Sequence, residues 1–241
     1  MRLDKYISNS TDYSRKDVRR LLREKLLTLD GVVCKSPSLH ITPGQILLLD
    51  GHAIQVPGFR YFMLHKPQGY VCATKDSEHP IVIDFLEEPN KDKLQIAGRL
   101  DIDTTGLVLI TDDGQWNHAI TAPNRDCKKT YYVTLTNDLN EKACNQLKLG
   151  VMLDGEVKPT KPATVDIVYS NEIRLCISEG KYHQVKRMLA AVGNKVCELH
   201  RECIGAIKLD PDLEQGQYRE LTKPEIDSIF LLQSQTVKQD K

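Results

Sequence analysis

The densest chemistry in the chain lies in Gly98-Arg99-Leu100-Asp101-Ile102-Asp103-Thr104-Thr105-Gly106, which precedes the apolar run Leu107–Ile110. The segment reads as a loop running into a buried strand, and loops at strand ends carry function more often than others. One of its carboxylates can serve as a nucleophile or a base. An ionised Asp shielded from water needs a cation beside it, or it takes up a proton. Arg99, or a cation brought in from elsewhere, would meet that need. A second stretch, Gly180-Lys181-Tyr182-His183-Gln184-Val185-Lys186-Arg187-Met188, is a glycine-led loop entering a helix whose first turns are basic. Cations there oppose the helix macrodipole, so an anion explains them better than helix stability does: RNA phosphate, or the Asp101 carboxylate. His183 sits among them as a candidate base, with ordinary hydrogen bonding as the alternative. The third stretch is Arg15 to Lys25. Arg15, Arg19 and Arg23 form one i, i+4 row, and Lys16 and Arg20 another, so a helix would show one broad cationic face. Such a face suits phosphates, whose condensed counterions it releases; a solvated surface is the alternative.

Asp101 to Thr105 also fits the D-x-D-x-T signature of Mg²⁺-dependent aspartyl-phosphate phosphohydrolases, with Asp101 as nucleophile and Asp103 as acid/base. That chemistry wants an apolar strand immediately before the first Asp, whereas here the strand follows. Asp101, Asp103, Thr105, Gly106 and Asp112 match positions 1, 3, 5, 6 and 12 of a calcium loop, but positions 7–11 read as a strand and position 12 is not Glu. An ordinary turn with Asx hydrogen bonds completes the alternatives.

These residues need a scaffold. At 241 residues the chain suits one large domain or two small ones. Lys plus Arg equals Asp plus Glu at 33 each, which excludes a histone-like or acidic-tail protein. Residues 1–60 nevertheless hold ten Lys/Arg against six Asp/Glu, a basic bias that suits a module for a polyanion. No apolar run approaches the roughly 18–20 residues of a membrane span, and Met1-Arg2-Leu3-Asp4-Lys5 lacks a signal-peptide core. A cytoplasmic protein with no membrane partner is expected. The seven cysteines are odd in number and include no C-x-x-C pair, so they are expected to be reduced and mostly buried.

The first sixty residues read as helix, helix, short strands. Ser14 and Asp17 make a capping box for a helix over Arg15–Lys25. Asp30-Gly31 predicts a hairpin between Leu26–Leu29 and Val32–Val33, and Pro43-Gly44 a turn before Ile46–Leu49. Pro57-Gly58 is the candidate linker. Beyond it, strands are expected at Tyr61–Leu64, Leu107–Ile110, Tyr131–Leu135, Ile167–Tyr169, Ile173–Ile177 and Val196–Ile204. Helical patterns cover Trp116–Ile120, Leu139–Leu149 and Val185–Val192. A further helix starts at a Thr222/Glu225 capping box. The irregular mixture of hairpins and helices gives α+β as the fold class.

Three motifs then converge on one family. Gly98-Arg99-Leu100-Asp101 through Thr104, Gly106 and Leu107 resembles the catalytic motif of pseudouridine synthases. Lys129-Thr130-Tyr131 resembles their K-x-Y motif, and Gly180 to Met188 their third motif. The N-terminal unit resembles an S4 RNA-binding domain, and the chain to about Phe230 is similar to the bacterial small-subunit rRNA branch of the family. The resemblance implies an S4-like α/β domain at 1–57 and a catalytic domain at 58–231 with a mixed, mainly antiparallel sheet and flanking helices. A disordered tail at 232–241 would follow. It implies isomerisation of one uridine in 16S rRNA, without cofactor or metal, by a monomer acting on an assembling small subunit; 23S rRNA is the alternative target. By motif position Asp101 is the essential carboxylate, Tyr131 lies beneath the uracil, Lys186 pairs with Asp101, and Arg99 touches RNA near the extruded nucleotide. Arg15, Lys16, Arg19, Arg20 and Arg23 become RNA contacts. S4 domains often have Gly where this chain has Lys25, Asn-Gly where it has Asp30-Gly31, and Asp where it has Gln45. His65 stands where relatives tend to have Asn.

Overall fold

A computed structural model describes residues 1–42, 44–54 and 58–236, of which 232–236 by backbone alone. Pro43 and Pro57 therefore lie outside the described residues, as do 237–241. The chain divides into two units, Met1–Phe59 and Arg60–Lys241.

The first unit comprises α1 (Leu3–Ser10), α2 (Val18–Arg23), β1 (Leu27–Leu29), β2 (Val32–Val33), β3 (Leu47–Leu49) and β4 (His52–Ala53). The strands form an antiparallel sheet in the order β2-β1-β3-β4. Leu3, Ile7, Val18, Leu21, Leu27 and Leu47 make its core. Asp30-Gly31 turns with φ of 49° and 82°, the positive pair that a tight two-residue hairpin requires. Asp50-Gly51 repeats the device at 50° and 78°, closing a second hairpin that the sequence reading missed. The helix expected over Arg15–Lys25 is shorter. The Ser14 N–H and hydroxyl donate to the Asp17 carboxylate at 2.9 and 2.5 Å, as a capping box would. Residues 15–17 form only a turn, and α2 starts at Val18. Lys25, at φ 56°, stops it by entering the left-handed region. Arg19, Arg20 and Arg23 thus stand on the helix and Arg15 and Lys16 on the turn before it, all exposed.

The second unit holds β5 (Tyr61–Lys66), β6 (Gln95–Ala97), β7 (Thr105–Thr111), α3 (Gly114–Thr121), β8 (Lys129–Leu135), α4 (Glu141–Leu149), β9 (Thr164–Tyr169), β10 (Glu172–Ile177), α5 (Gln184–Ala191), β11 (Val196–Ile204), β12 (Ile207–Lys208), β13 (Tyr218–Glu220) and α6 (Lys223–Thr236). Its sheet runs β13-β5-β7-β11-β8-β10-β9, with β6 also on β7 and β12 on β11. Among the described residues β7–β11 is the one parallel strand pair. The apolar run of β7 is continuous because both sheet faces are covered. Val108 and Ile110 join Phe62, Leu64 and Val133 in one core. Leu107 and Leu109 join Met63 and Trp116 in the other. Asp113 caps α3 by accepting from the Gln115 and Trp116 N–H groups, and Asn140 caps α4. α6 continues through Thr236, into the stretch expected to be a tail.

The class is α+β, as expected. All seven cysteines are free; Cys34, Cys72, Cys127 and Cys144 are buried, Cys176 and Cys203 half-buried, and Cys197 exposed.

Candidate active site

The loop 98–104 joins β6 to β7. Its carbonyls are held from beneath by two buried cations. Arg201, 1% exposed, donates Nε to Leu107 O at 2.8 Å and its terminal nitrogens to Gly98 O at 2.7 Å and Arg99 O at 3.3 Å. Lys66, fully buried, donates to Thr104 O at 2.7 Å, Pro67 O at 3.0 Å and Ile102 O at 3.3 Å. Burial pushes the Lys66 amine down from its ordinary value. Neither cation has a carboxylate partner among the described residues, so carbonyl dipoles supply the compensation that a buried charge requires. The turn after β5 closes the loop's other side, with Gly69 N–H on Ile102 O at 2.8 Å and Gln68 Nε2 on Asp103 O at 3.2 Å. Gly106 is obligatory where the loop enters β7. Its φ is 108°, and a Cβ there would stand 2.4 Å from the Arg201 carbonyl oxygen.

Above this base lies a cleft of about 700 Å³ whose lining includes Arg99, Asp101, Tyr131, His183, Lys186 and Arg201. It therefore brings together all four residues that the motifs put at the site. Asp101 is half-buried, with Lys186 Nζ 3.4 Å from Oδ2 and His183 Nε2 3.5 Å from Oδ1. Lys186 approaches Asp103 more closely, at 2.6 Å. The expected Lys186–Asp101 pair is thus a bridge over two carboxylates. Burial tends to raise the Asp103 carboxyl, but its hydrogen bond to Lys186 and the charge of that lysine outweigh it, and the net shift is downward. Arg99 is exposed and forms no ion pair with Asp101, so Lys186 and His183, from the start of α5 and the loop before it, are the nearby cation and imidazole.

Tyr131, on β8, is 7% exposed, with the Arg201 guanidinium carbon 5.9 Å from its ring centroid. Arg201 thus touches both the loop that bears Asp101 and the ring beside it. Lys129, two residues before Tyr131, is buried, donates Nζ to Cys127 O at 3.0 Å, and has its amine pushed down by that burial. The sequence reading missed the clamping by Arg201 and Lys66. Val196–Ile204 also carries Glu198 and Glu202, so Arg201 did not stand out by charge; its place two residues after Leu199, on the same strand face, was the available signal, and Lys66 carried none beyond its place before Pro67.

The D-x-D-x-T alternative fails on this geometry. Gly98 to Thr104 is loop and β7 follows Asp101 rather than leading into it. Lys186 also occupies the space between the two carboxylates that a divalent ion would need.

Comparison with known proteins agrees with these motifs. The profile of a family described as RNA pseudouridylate synthase matches residues 60–191, and that of the S4 domain matches residues 1–47. The ribosomal small subunit pseudouridine synthase A of Yersinia pestis is 56% identical over 95% of this chain and 98% of its own. The protein of that name from Escherichia coli K12 is 52% identical over 95% of this chain and all of its own. A crystal structure of a pseudouridylate synthase superposes with a TM-score of 0.69 at 44% identity, covering 95% of this chain and 99% of that one.

Proposed function

The chain belongs to the RNA pseudouridylate synthase family, and from that premise we propose that it isomerises one specific uridine of 16S rRNA to pseudouridine, with Asp101 as the essential carboxylate. The small-subunit target is carried over from the names of its relatives. The observation that carries the role of Asp101 is its position. It is a half-buried carboxylate on a loop clamped by two buried cations, in a cleft shared with Tyr131 and Lys186.

The chemistry fits such a site. The N1–C1′ glycosidic bond breaks, the uracil turns, and a C5–C1′ bond forms, while C5 loses a proton and N1 gains one. Nothing is oxidised or reduced, so no redox cofactor is required, and no step is assigned to a metal. Asp101 would attack or deprotonate the ribose, and Tyr131 would lie under the uracil. Lys186 would balance the Asp101 charge, and exposed Arg99 would hold RNA at the cleft mouth. Extruding the uridine costs a few kcal/mol of stacking, offset by contacts in the pocket. The cationic face of the S4 unit would hold structured RNA through phosphates and shape. We extend the proposal to a cytoplasmic monomer that acts on an assembling small subunit.

The test is pseudouridine mapping by carbodiimide modification and primer extension. The substrates are 16S rRNA, free and in partly assembled subunits, incubated with protein in EDTA. One new stop with the wild type and none with Asp101→Asn is expected, with RNA binding by the variant intact. A stop on 23S rRNA alone would move the target. Equal loss of binding and turnover in Asp101→Asn would remove the catalytic assignment.

A further inference from the structure

The cleft has a second tyrosine in the opposite circumstance to Tyr131. Tyr182 is 74% exposed, yet its ring is not free to wander. It lies flat on the imidazole of His183, with centroids 3.8 Å apart and planes within 20°. That imidazole in turn faces Asp101 at 3.5 Å. Both rings line the same cleft as Tyr131.

The backbone beneath them is fastened. Lys181 N–H donates to Gln184 Oε1 at 2.8 Å, and Lys181 Nζ to Glu156 at 2.6 Å. Arg187 donates to the Tyr182 carbonyl at 3.1 Å, to Glu156 at 3.4 Å and to the Asp154 carbonyl. His183 is held at φ 47°, a conformation unfavourable for residues with a side chain, and strain of this kind gathers at functional sites. One face of the Tyr182 ring is thus covered by His183 while the other is presented to solvent at the rim of the cleft. Core packing does not require that arrangement. Single-stranded RNA is gripped in this way: unstacked bases lie on aromatic side chains whose orientation is fixed in advance.

We infer that Tyr182, backed by His183, is a stacking platform for the nucleobase next to the extruded uridine in the RNA strand. The inference rests on the uridine reading of the site. Flipping the uridine removes a stacking partner from its neighbour, and Tyr182 restores one while Tyr131 attends to the uracil. Because every base has a π face, the platform supplies grip rather than base identity, with purines overlapping the ring more fully than pyrimidines.

The experiment uses the full chain and an RNA fragment spanning the mapped uridine. Tyr182→Ala is expected to raise KM about 5- to 160-fold, the range for loss of one base–aromatic stack, with kcat changed far less; Tyr182→Phe restores the wild-type KM. An abasic nucleotide on the stacked side should impose a similar loss on the wild type and almost none on Tyr182→Ala. In parallel, 2-aminopurine placed 5′ or 3′ of the uridine should be quenched on one side by Asp101→Asn protein. Adding Tyr182→Ala to that variant should abolish the quenching. Additive losses, a Phe variant as poor as Ala, or unchanged KM and quenching in Tyr182→Ala would each overturn the platform. A wild-type protein that forms no pseudouridine in any rRNA tells instead against the uridine reading, and the quenching result still decides whether Tyr182 stacks a base.

Discussion

Arg201 connects Asp101's loop, Tyr131 and β11 through a single side chain, and its removal separates positioning from chemistry. Its three bonds go to carbonyls that have no other side-chain donor in the site. Charge-assisted bonds contribute about 1.5–3 kcal/mol each, offset by the desolvation of the guanidinium. Arg201→Met is therefore expected to lower stability by roughly 2–4 kcal/mol, read by urea unfolding. Arg201→Lys keeps the charge but gathers its donors on one nitrogen, losing the fork that sends Nε to Leu107 O and the terminal nitrogens to Gly98 O and Arg99 O. It is expected to lower kcat up to about 100-fold, the scale of a 1 Å misplacement, with KM nearly constant. A KM effect without a kcat effect would show that Arg201 does not position the loop. That Asp101, Tyr131 and Lys186 share one cleft was legible in the sequence, because motif spacing marks positions by side-chain type. Arg201 and Lys66 were not, because they act on backbone carbonyls that no side-chain pattern reveals. The sharing of Lys186 between Asp101 and Asp103 likewise depends on where the start of α5 meets the loop.

Elements were legible where the signal is local. Asp30-Gly31 closes the predicted hairpin, and the helices starting at Gln184 and Lys223 lie where their patterns put them. The parallel pairing of β7 with β11 was not legible, since it joins residues about a hundred positions apart and is set by the burial of both sheet faces. The helix expected over Arg15–Lys25 begins only at Val18, and its C-terminal end has a backbone reason: Lys25 takes the left-handed conformation. Lys25→Gly should relieve that strain and, after glycine's own entropy penalty, stabilise the first unit by about 0.5–1 kcal/mol. A denaturation midpoint that falls on this substitution would contradict the account. At the start of α6, Arg219 and the Thr222 N–H and hydroxyl hold Glu225 at about 2, below its ordinary 4.5. A carboxyl depressed in the folded state adds stability that is complete above pH 4.5 and disappears as pH falls towards 2. Glu225→Gln should therefore cost roughly 1–2 kcal/mol at pH 7, allowing for solvent screening of a surface pair. Its unfolding midpoint should converge on the wild type's below pH 4.5. A gap as large at pH 2.5 as at pH 7 would place the loss in packing rather than charge.

At the scale of the whole molecule, a chain of zero formal charge has to bind a polyanion, so the distribution of charge matters more than its sum. The first unit concentrates Arg15, Lys16, Arg19, Arg20 and Arg23 in one short exposed stretch, while the site in the second unit spends Lys186 on carboxylates and Lys66 and Arg201 on carbonyls. Those site cations are already compensated, so they have little counterion to release from RNA. Salt dependence of binding should then come chiefly from the first unit. Replacing Arg15, Arg19 and Arg23 together by Gln should weaken rRNA binding. It should also flatten the slope of log affinity against log salt by up to about 0.9 for each phosphate that is no longer neutralised, or about 0.7 where those phosphates are single-stranded. Because the three belong to the first unit and the cleft is lined by residues of the second, KM should rise while kcat at saturating RNA stays near the wild-type value. Filter binding across a salt series, paired with steady-state kinetics, reads both quantities. A slope equal to the wild type's would remove this face from the RNA interface, and a fall in kcat would mean that it helps to deliver the uridine as well as to hold the RNA.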